Sequence, residues 1–309
     1  MLELLRRNHQ VRLLLRKDAP HLQNIQAEKV YGDIFDIASL EKAMQGQDIV
    51  FHTAGMISYD PAKNDLLYQT NVVGTKNVVE AALKAKITKL VLTSSTAAIG
   101  INKDPSKIID ENFPFNAGNL GLAYFPSKYE AEQEVLKGVQ RGLNAVIVNP
   151  GSIVGAGDRR RYAQCYPGMI YKFKPKYFIH GGINFVDVKD VVAGHILVME
   201  KGRSGERYIL GGENLSFANF IRKTNKIIGR KSPTRYIANF VMKFFSFALR
   251  ILNVFGKKLH ITPELISNVG TWHLFYSSDK AKRELGYQPH SVDNAIRETL
   301  DWLKAEKKI

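Results

Sequence analysis

Tyr124 and Lys128 stand four residues apart in Tyr124-Phe125-Pro126-Ser127-Lys128, at the opening of a segment with helical periodicity. A spacing of four puts both side chains on one helix face, one turn apart. A lysine ammonium so placed favours the phenolate electrostatically. It brings a hydroxyl whose reference pKa is ~10 toward a range where it can exchange a proton with a carbonyl or alcohol oxygen. The same spacing arises in helices that do no chemistry, so context has to decide. Thr93-Ser94-Ser95-Thr96 lies upstream, at the end of an apolar, β-branched run. The carboxyl ends of strands in open α/β sheets are where ligands bind, and a serine there can hydrogen-bond the oxygen that the tyrosine protonates. These hydroxyls can also do no more than cap a strand–loop junction, and Ser94 reads as such a cap.

The elements that must hold these groups alternate along the chain. Val11–Leu15, Asp48–His52, Lys89–Thr93 and Ala145–Val148 read as strands, separated by helical patterns around Ser39–Gln45, Tyr68–Ala85 and Tyr124–Gly138. Such alternation implies right-handed βαβ units and a parallel sheet covered by helices on both faces, which explains strands that are apolar throughout. The expected fold is therefore α/β, a Rossmann-type doubly wound sheet over residues 1–155, with a smaller, mainly helical substrate region over 156–309. Within the latter, strands at Asn184–Val188 and Tyr208–Leu210 predict a return to the sheet over about 183–212. Helices follow at Phe217–Ile228, Ile237–Phe255, Thr262–Val269, Asp279–Leu285 and Val292–Lys304.

Composition narrows the function classes. The 309 residues are 45% hydrophobic and 24% charged, as in a folded globular protein. A lone cysteine, Cys165, forms no internal disulfide, and no Cys/His cluster has metal-ligand spacing. With no run of eighteen apolar residues and a charged first segment, the sequence predicts a cytoplasmic protein without a transmembrane span. The net charge is +15, and from Arg222 onward 17 Lys and Arg face 7 Asp and Glu. No helix-turn-helix, zinc-finger or RNA-recognition signature accompanies that charge, so a nucleic-acid partner is not expected. The apolar stretch Phe240–Leu252 reads first as a helix packed over a substrate cleft. Its alternative is an interfacial helix, with Lys243, Arg250, Lys257 and Lys258 near anionic headgroups, a peripheral membrane contact.

Taken in order, Thr93-Ser94-Ser95, Tyr124-x-x-x-Lys128 and Asn149-Pro150-Gly151 resemble the extended short-chain dehydrogenase/reductase superfamily. That superfamily holds NAD-dependent epimerase/dehydratases and dihydroflavonol-reductase-like enzymes. Gly32-Asp33-Ile34-Phe35-Asp36, His52-Thr53-Ala54-Gly55, Asn71-Val72-Val73-Gly74-Thr75, Phe185–Val191 and Ser278–Pro289 extend the likeness over nearly the whole chain. The resemblance implies an NAD(P)-dependent enzyme, with a small-molecule substrate and a homodimer as its expected partners. It implies Ser95 as the donor to the substrate oxygen, Tyr124 as general acid/base, and Lys128 as holder of the nicotinamide ribose and tuner of the tyrosine. Asp33 and Ile34 would flank the adenine, and Ala54, Gly55 and Thr93 would border the cofactor. Asn71 would support the site, and Pro150, Gly151 and Ser152 would line the nicotinamide pocket.

Arg16-Lys17, at the end of the first strand, occupy the place where dinucleotide folds put an acid for the ribose hydroxyl or an arginine for a 2′-phosphate. They favour NADP, while Asp18 beside them leaves room for NAD. The superfamily's opening strand and Gly-x-x-Gly-x-x-Gly turn, whose amides hold a pyrophosphate at a helix N-terminus, do not occur in this sequence. Leu2–His9 reads as the end of the helix that should follow that turn. The expectation is a truncated or misassigned start, with β-strand neighbours deprived of a partner and weakened cofactor binding by these 309 residues. Thr96-Ala97-Ala98 stand where the resembling dehydratases carry Asp-Glu, which argues against dehydration. The expected reaction is thus NADPH-dependent reduction of a carbonyl on a small, apolar substrate. The alternatives are an NDP-sugar epimerase, to which Arg159–Arg161 would suit a diphosphate, and a non-catalytic NADP-binding paralogue.

Overall fold

The computed structural model describes residues 1–158, 165–254 and 263–309. The first half runs α1 (Leu2–Arg6), β1 (Arg12–Leu15), β2 (Glu28–Tyr31), α2 (Ile37–Met44), β3 (Ile49–His52), α3 (Asn64–Tyr68), α4 (Gly74–Lys84), β4 (Lys89–Thr93), α5 (Tyr124–Gln140) and β5 (Ala145–Pro150). It continues with β6 (Ser152–Val154), α6 (Tyr166–Phe173), β7 (Gly182–Asp187), α7 (Val188–Lys201), β8 (Arg207–Leu210) and β9 (Glu213–Ser216). The chain ends with α8 (Phe217–Ile227), α9 (Asn239–Val254), α10 (Pro263–Val269), β10 (His273–Leu274), α11 (Asp279–Leu285) and α12 (Val292–Ala305).

Four parallel strands, in the order β3-β4-β5-β8, form the sheet that positions the site. Their side chains alternate between two cores. Leu90, Leu92 and Ile147 pack with Leu40, Val78, Val79 and Val135 of α2, α4 and α5. Val91, Val146 and Val148 pack with Val198, Tyr208 and Leu285 on the opposite face. Both faces being covered, every residue of β5 is buried, which is why the run shows no polar alternation.

Strands β1 and β2 pair with each other in parallel, Arg12 opposite Glu28, as a separate two-stranded sheet. Among the described residues β1 and β3 share no ladder, although Leu14 and Val50 pack against the same core.

Several elements differ from the sequence-based expectation. The helical pattern over 68–85 is broken into α3, a π-helical turn at Gln69–Val73, and α4. Strand β2 escapes the pattern because Glu28 and Lys29 interrupt it and only its middle is half-buried. The region 183–212 returns to the parallel sheet through β8 alone. Strand β7 instead joins β6 and β10 in parallel and β9 antiparallel, building a second sheet. The cause is local: Ser152, two residues past the end of β5, pairs with Phe185 and carries the chain off the first sheet. Phe178, Phe185, Phe220, Val292 and Ile296 fill the core behind it, with α8 and α12 as its cover. The apolar stretch forms α9 over Asn239–Val254; Phe255, Lys257, Lys258 and the Arg159–Arg161 run lie outside the described residues.

Candidate active site

Most of the residues singled out from sequence follow the carboxyl ends of β1 to β5 or stand on α5 and the turn before α4. Tyr124 is the first residue of α5, buried in a cluster with Leu67, Ala97, Leu122, Phe125 and Trp272. Met56, Tyr59 and Leu265 pack against the same cluster, with Tyr59 meeting the Tyr124 ring edge-on at 5.9 Å between centroids. One turn on, the buried Lys128 donates from Nζ to the carbonyl of Thr93 at 3.1 Å. Burial lowers its pKa to about 8, against the opposing pull of Glu132. An ammonium that releases its proton near neutrality holds its charge only loosely, and any anion beside it would strengthen that charge.

Ser95 caps a short 3₁₀ turn, Thr96–Ala98, its hydroxyl accepting from the Ala97 amide at 3.2 Å. That leaves the hydroxyl proton available for another oxygen. The Ser95 carbonyl accepts from Asn149 Nδ2 at 2.9 Å, and the same amide nitrogen donates to Glu132 at 2.6 Å. Glu132 is fully buried on α5, with Arg207 at 3.5 Å, and burial raises its pKa. The buried carboxyl thus fixes the strand–turn junction that carries Ser95.

Asn71 sits in the π-helical turn, and the turn gives its amide three partners. Oδ1 accepts from the Met56 amide at 2.7 Å, while Nδ2 donates to the Met56 carbonyl at 2.9 Å and to Ser127 Oγ at 3.0 Å. A π turn inside a helix is a frequent mark of a functional position. Here it locks the Ala54-Gly55-Met56 loop against α5. A Cβ added at Gly55 would stand 3.4 Å from Asn71 Oδ1 and 3.8 Å from Lys128 Nζ. Ala54 and Gly55 are otherwise exposed, so they border an open cradle next to the lysine.

Arg16 and Lys17 are exposed beyond β1, and Asp18 accepts a short hydrogen bond from the Tyr31 hydroxyl. Asp33 accepts from the Phe35 amide through its carboxylate, on the loop after β2. Ile34 turns inward: Gly74 leaves space for its side chain, which packs on the core, so only its backbone borders the edge. Pro150 ends β5 and Gly151 runs close against Asn184, where a Cβ would meet Oδ1 at 2.4 Å. Ser152 belongs to the second sheet, with its hydroxyl toward Tyr166. Thr93 contributes its carbonyl rather than its side chain, because its hydroxyl bonds His195 Nε2 at 2.8 Å.

Sequence reasoning missed the two histidines and the buried carboxyl. His195 Nδ1 lies 2.7 Å from the Val191 carbonyl and so donates, which leaves Nε2 to accept from Thr93. Thr75 gives its proton to the Asn71 carbonyl at 2.6 Å, so His52 Nε2 is the donor in the 3.0 Å contact between them. Burial and then the nearby Lys128 lower the His52 pKa to about 3, keeping the ring neutral. Glu132 had a visible signal: it continues the four-residue step from Tyr124 through Lys128.

A parallel sheet with helices on both faces and a tyrosine–lysine turn at its carboxyl edge define a dinucleotide-binding α/β enzyme of the extended short-chain dehydrogenase/reductase type. The chain belongs to the NAD dependent epimerase/dehydratase family, whose model matches residues 1–211. It is 33% identical to a putative dihydroflavonol 4-reductase of Synechocystis, over 97% of this chain and 89% of that protein. It is 30% identical to sterol demethylase protein B of Methylococcus capsulatus, over 97% and 93% of the two chains. Among solved structures, gox2253 superposes with a TM-score of 0.86 at 32% identity, covering 100% of this chain and 94% of its own.

Proposed function

We propose that the protein reduces the carbonyl of a small, apolar substrate at the expense of NADPH, through Ser95, Tyr124 and Lys128. The observation that carries this reading is the gathering of all three at the end of β4. Lys128 is tied to Thr93, Ser95 is fixed through Asn149, and Tyr124 packs against Ala97 in the turn that Ser95 caps.

The residues present fit a dinucleotide at its two ends. Gly55 leaves an open cradle beside Lys128 for the nicotinamide ribose, with Ala54 and Asn71 around it. Arg16 and Lys17, exposed, suit a 2′-phosphate, while the carboxylate of Asp18 is engaged by Tyr31. Asp33 and the backbone of Ile34 border the adenine place, and Pro150, Gly151 and Ser152 the nicotinamide side. NADPH, when bound, supplies a hydride. Tyr124 donates its hydroxyl proton to the substrate's carbonyl oxygen, and Ser95 donates a hydrogen bond to the same oxygen. The Lys128 ammonium stabilises the phenolate left on Tyr124. The apolar surroundings of Tyr124, with Met56, Tyr59, Leu122, Leu265 and Trp272 in or against its cluster, favour a greasy substrate. The sterol named for the Methylococcus relative is of that kind.

The test is turnover of NADPH over a panel of apolar ketones, with cofactor affinity titrated separately by protein fluorescence. Tyr124→Phe should lower kcat by about 10²- to 10⁴-fold while leaving cofactor affinity unchanged. Undiminished turnover in that variant would remove the mechanism. Epimerisation of an NDP-sugar without net loss of NADPH would select the epimerase reading, which the family's name also covers. Cofactor binding without turnover of either class would select a non-catalytic binder.

A further inference from the structure

Helix α9 carries an apolar surface that no other described part of the chain covers. Phe240, Phe244 and Phe247, spaced by four and three, form one stripe, and they are 73%, 69% and 60% exposed; Phe245 beside them is 60% exposed. Contiguous exposed aromatics of this extent mark an interaction surface rather than ordinary solvent contact. The opposite side of α9 is engaged: Ser246 is buried and donates to the Pro263 carbonyl at the start of α10 at 2.8 Å. Sixteen residues span only about 24 Å, and no helix among the described residues is long and apolar enough to cross a membrane.

Positive charge accompanies the stripe. An open depression of about 420 Å³ beside Phe247 is lined by Lys243 of α9 and by Lys103, on an exposed loop that also carries Lys107 and the 59% exposed Ile108. The polar groups around the two lysines already have partners. Ser246 donates to Pro263, Asn268 to Glu264 and Thr271 to Asn268, each through a backbone carbonyl. Among the described residues neither Lys103 nor Lys243 has an ion-pair partner, so their ammonium groups are the ones left for a ligand. The one acid on the loop, Asp104, is held by Ser106. The wider chain has the same bias, with 17 basic against 7 acidic residues from Arg222 onward.

We infer that α9 and the Lys103–Ile108 loop dock on an anionic lipid surface, the phenylalanines entering the acyl boundary and the lysines taking headgroup phosphates. Aromatic groups on one face, cations beside them and a length too short to span are the attributes of a helix that lies in the interface plane. The surface also stands close to the candidate active site. Helix α10, on which α9 rests, sends Leu265 into the cluster that contains Tyr124. A docked molecule therefore holds α10, and through Leu265 the Tyr124 cluster, next to the bilayer, so that an apolar ketone can reach Tyr124 from the lipid phase. That last consequence rests on the proposed reaction; the docking does not.

The experiment is flotation of the full chain with vesicles of phosphatidylglycerol or of phosphatidylcholine, alongside sedimentation without lipid. Binding to phosphatidylglycerol should be at least tenfold tighter than to phosphatidylcholine. It should fall at least tenfold at 1 M salt, where the screening length shrinks to about 3 Å. Phe244→Ser with Phe247→Ser, and separately Lys103→Glu with Lys243→Glu, should each weaken it at least tenfold without changing the unfolding temperature. Tyr124→Phe should bind vesicles as the parent does, which separates the docking from the reaction. Equal binding by the phenylalanine variant, or no binding to phosphatidylglycerol at low salt, would overturn the proposal. So would a dimer in sedimentation that the phenylalanine variant abolishes, since a second copy would then be what covers α9.

Discussion

The Lys128 ammonium donates to the carbonyl of Thr93 at 3.1 Å, so the helix that opens with Tyr124 is tied directly to the end of the strand that delivers Ser95. Nothing in the pair neutralises the lysine. A carbonyl dipole is a weak substitute for water, and burial holds the pKa down at about 8, with Glu132 opposing.

This has a measurable consequence for stability. In the unfolded chain the lysine keeps its proton up to about pH 10.4, whereas in the folded chain it loses it near 8. Between those values the unfolded state binds more protons, so folding stability rises with pH through that window, by roughly 3 kcal/mol from this group. Urea unfolding of the parent and of Lys128→Met across the window isolates the effect as a difference. The parent should gain relative to the variant as pH rises; a constant difference would show that Lys128 is solvated.

Gly55 offers a cleaner separation of folding from binding. Its added methyl would meet Asn71 Oδ1 at 3.4 Å and Lys128 Nζ at 3.8 Å, ordinary contacts, and the backbone there is not left-handed. Gly55→Ala should therefore leave stability within about 0.5 kcal/mol of the parent. The methyl nevertheless occupies the cradle assigned to the nicotinamide ribose. Fluorescence titration should show cofactor affinity at least tenfold weaker, about 1.4 kcal/mol. Unchanged affinity would move the cofactor away from the Ala54–Gly55 loop.

Much of this arrangement was readable from residue order, because the buried strands and the Tyr124–Lys128 step depend on local periodicity. Lys89–Thr93 and Asp279–Leu285 coincide with their expected spans. What stayed hidden depends on the third dimension. The clamp of Asn71 on Met56 exists only because five residues wind as a π turn, which no side-chain pattern announces. The choice of β7 for a second sheet is made by long-range pairing with β6, β9 and β10, elements of three, four and two residues, too short to show a period. The contacts of His52 with Thr75 and of His195 with Thr93 join residues remote in sequence.

Arg16 and Lys17 test the choice between cofactors. Exposed at the end of β1, they can grip a 2′-phosphate that NADPH has and NADH lacks. Replacing both with alanine should raise KM for NADPH at least tenfold and leave KM for NADH and both kcat values near those of the parent. Steady-state kinetics with the two cofactors decides it. An equal rise for both would mean the pair acts on a group the cofactors share.

Glu132 gives a prediction with opposite signs in two variants. The carboxyl is fully buried, and burial raises its pKa, with Arg207, Ser94, Asn149 and Lys128 favouring the ion against it. A carboxyl whose folded pKa is raised contributes stability that is present below the unfolded value of about 4.3 and lost as pH rises through the folded one. Glu132→Gln cannot ionise, and its side-chain carbonyl can still accept from Asn149, which the carboxylate does at 2.6 Å. Its stability relative to the parent should therefore increase with pH above about 4.3, with turnover largely kept. Glu132→Ala instead leaves the Asn149 amide short of a partner and the Arg207 guanidinium without its carboxylate, at a cost of about 3 kcal/mol. Because Asn149 also holds the Ser95 carbonyl, that variant should lose kcat more than KM changes. Denaturation across pH, joined to kinetics on both variants, reads the two effects separately. A pH-independent difference between the parent and Glu132→Gln would mean the carboxyl is ionised in the fold.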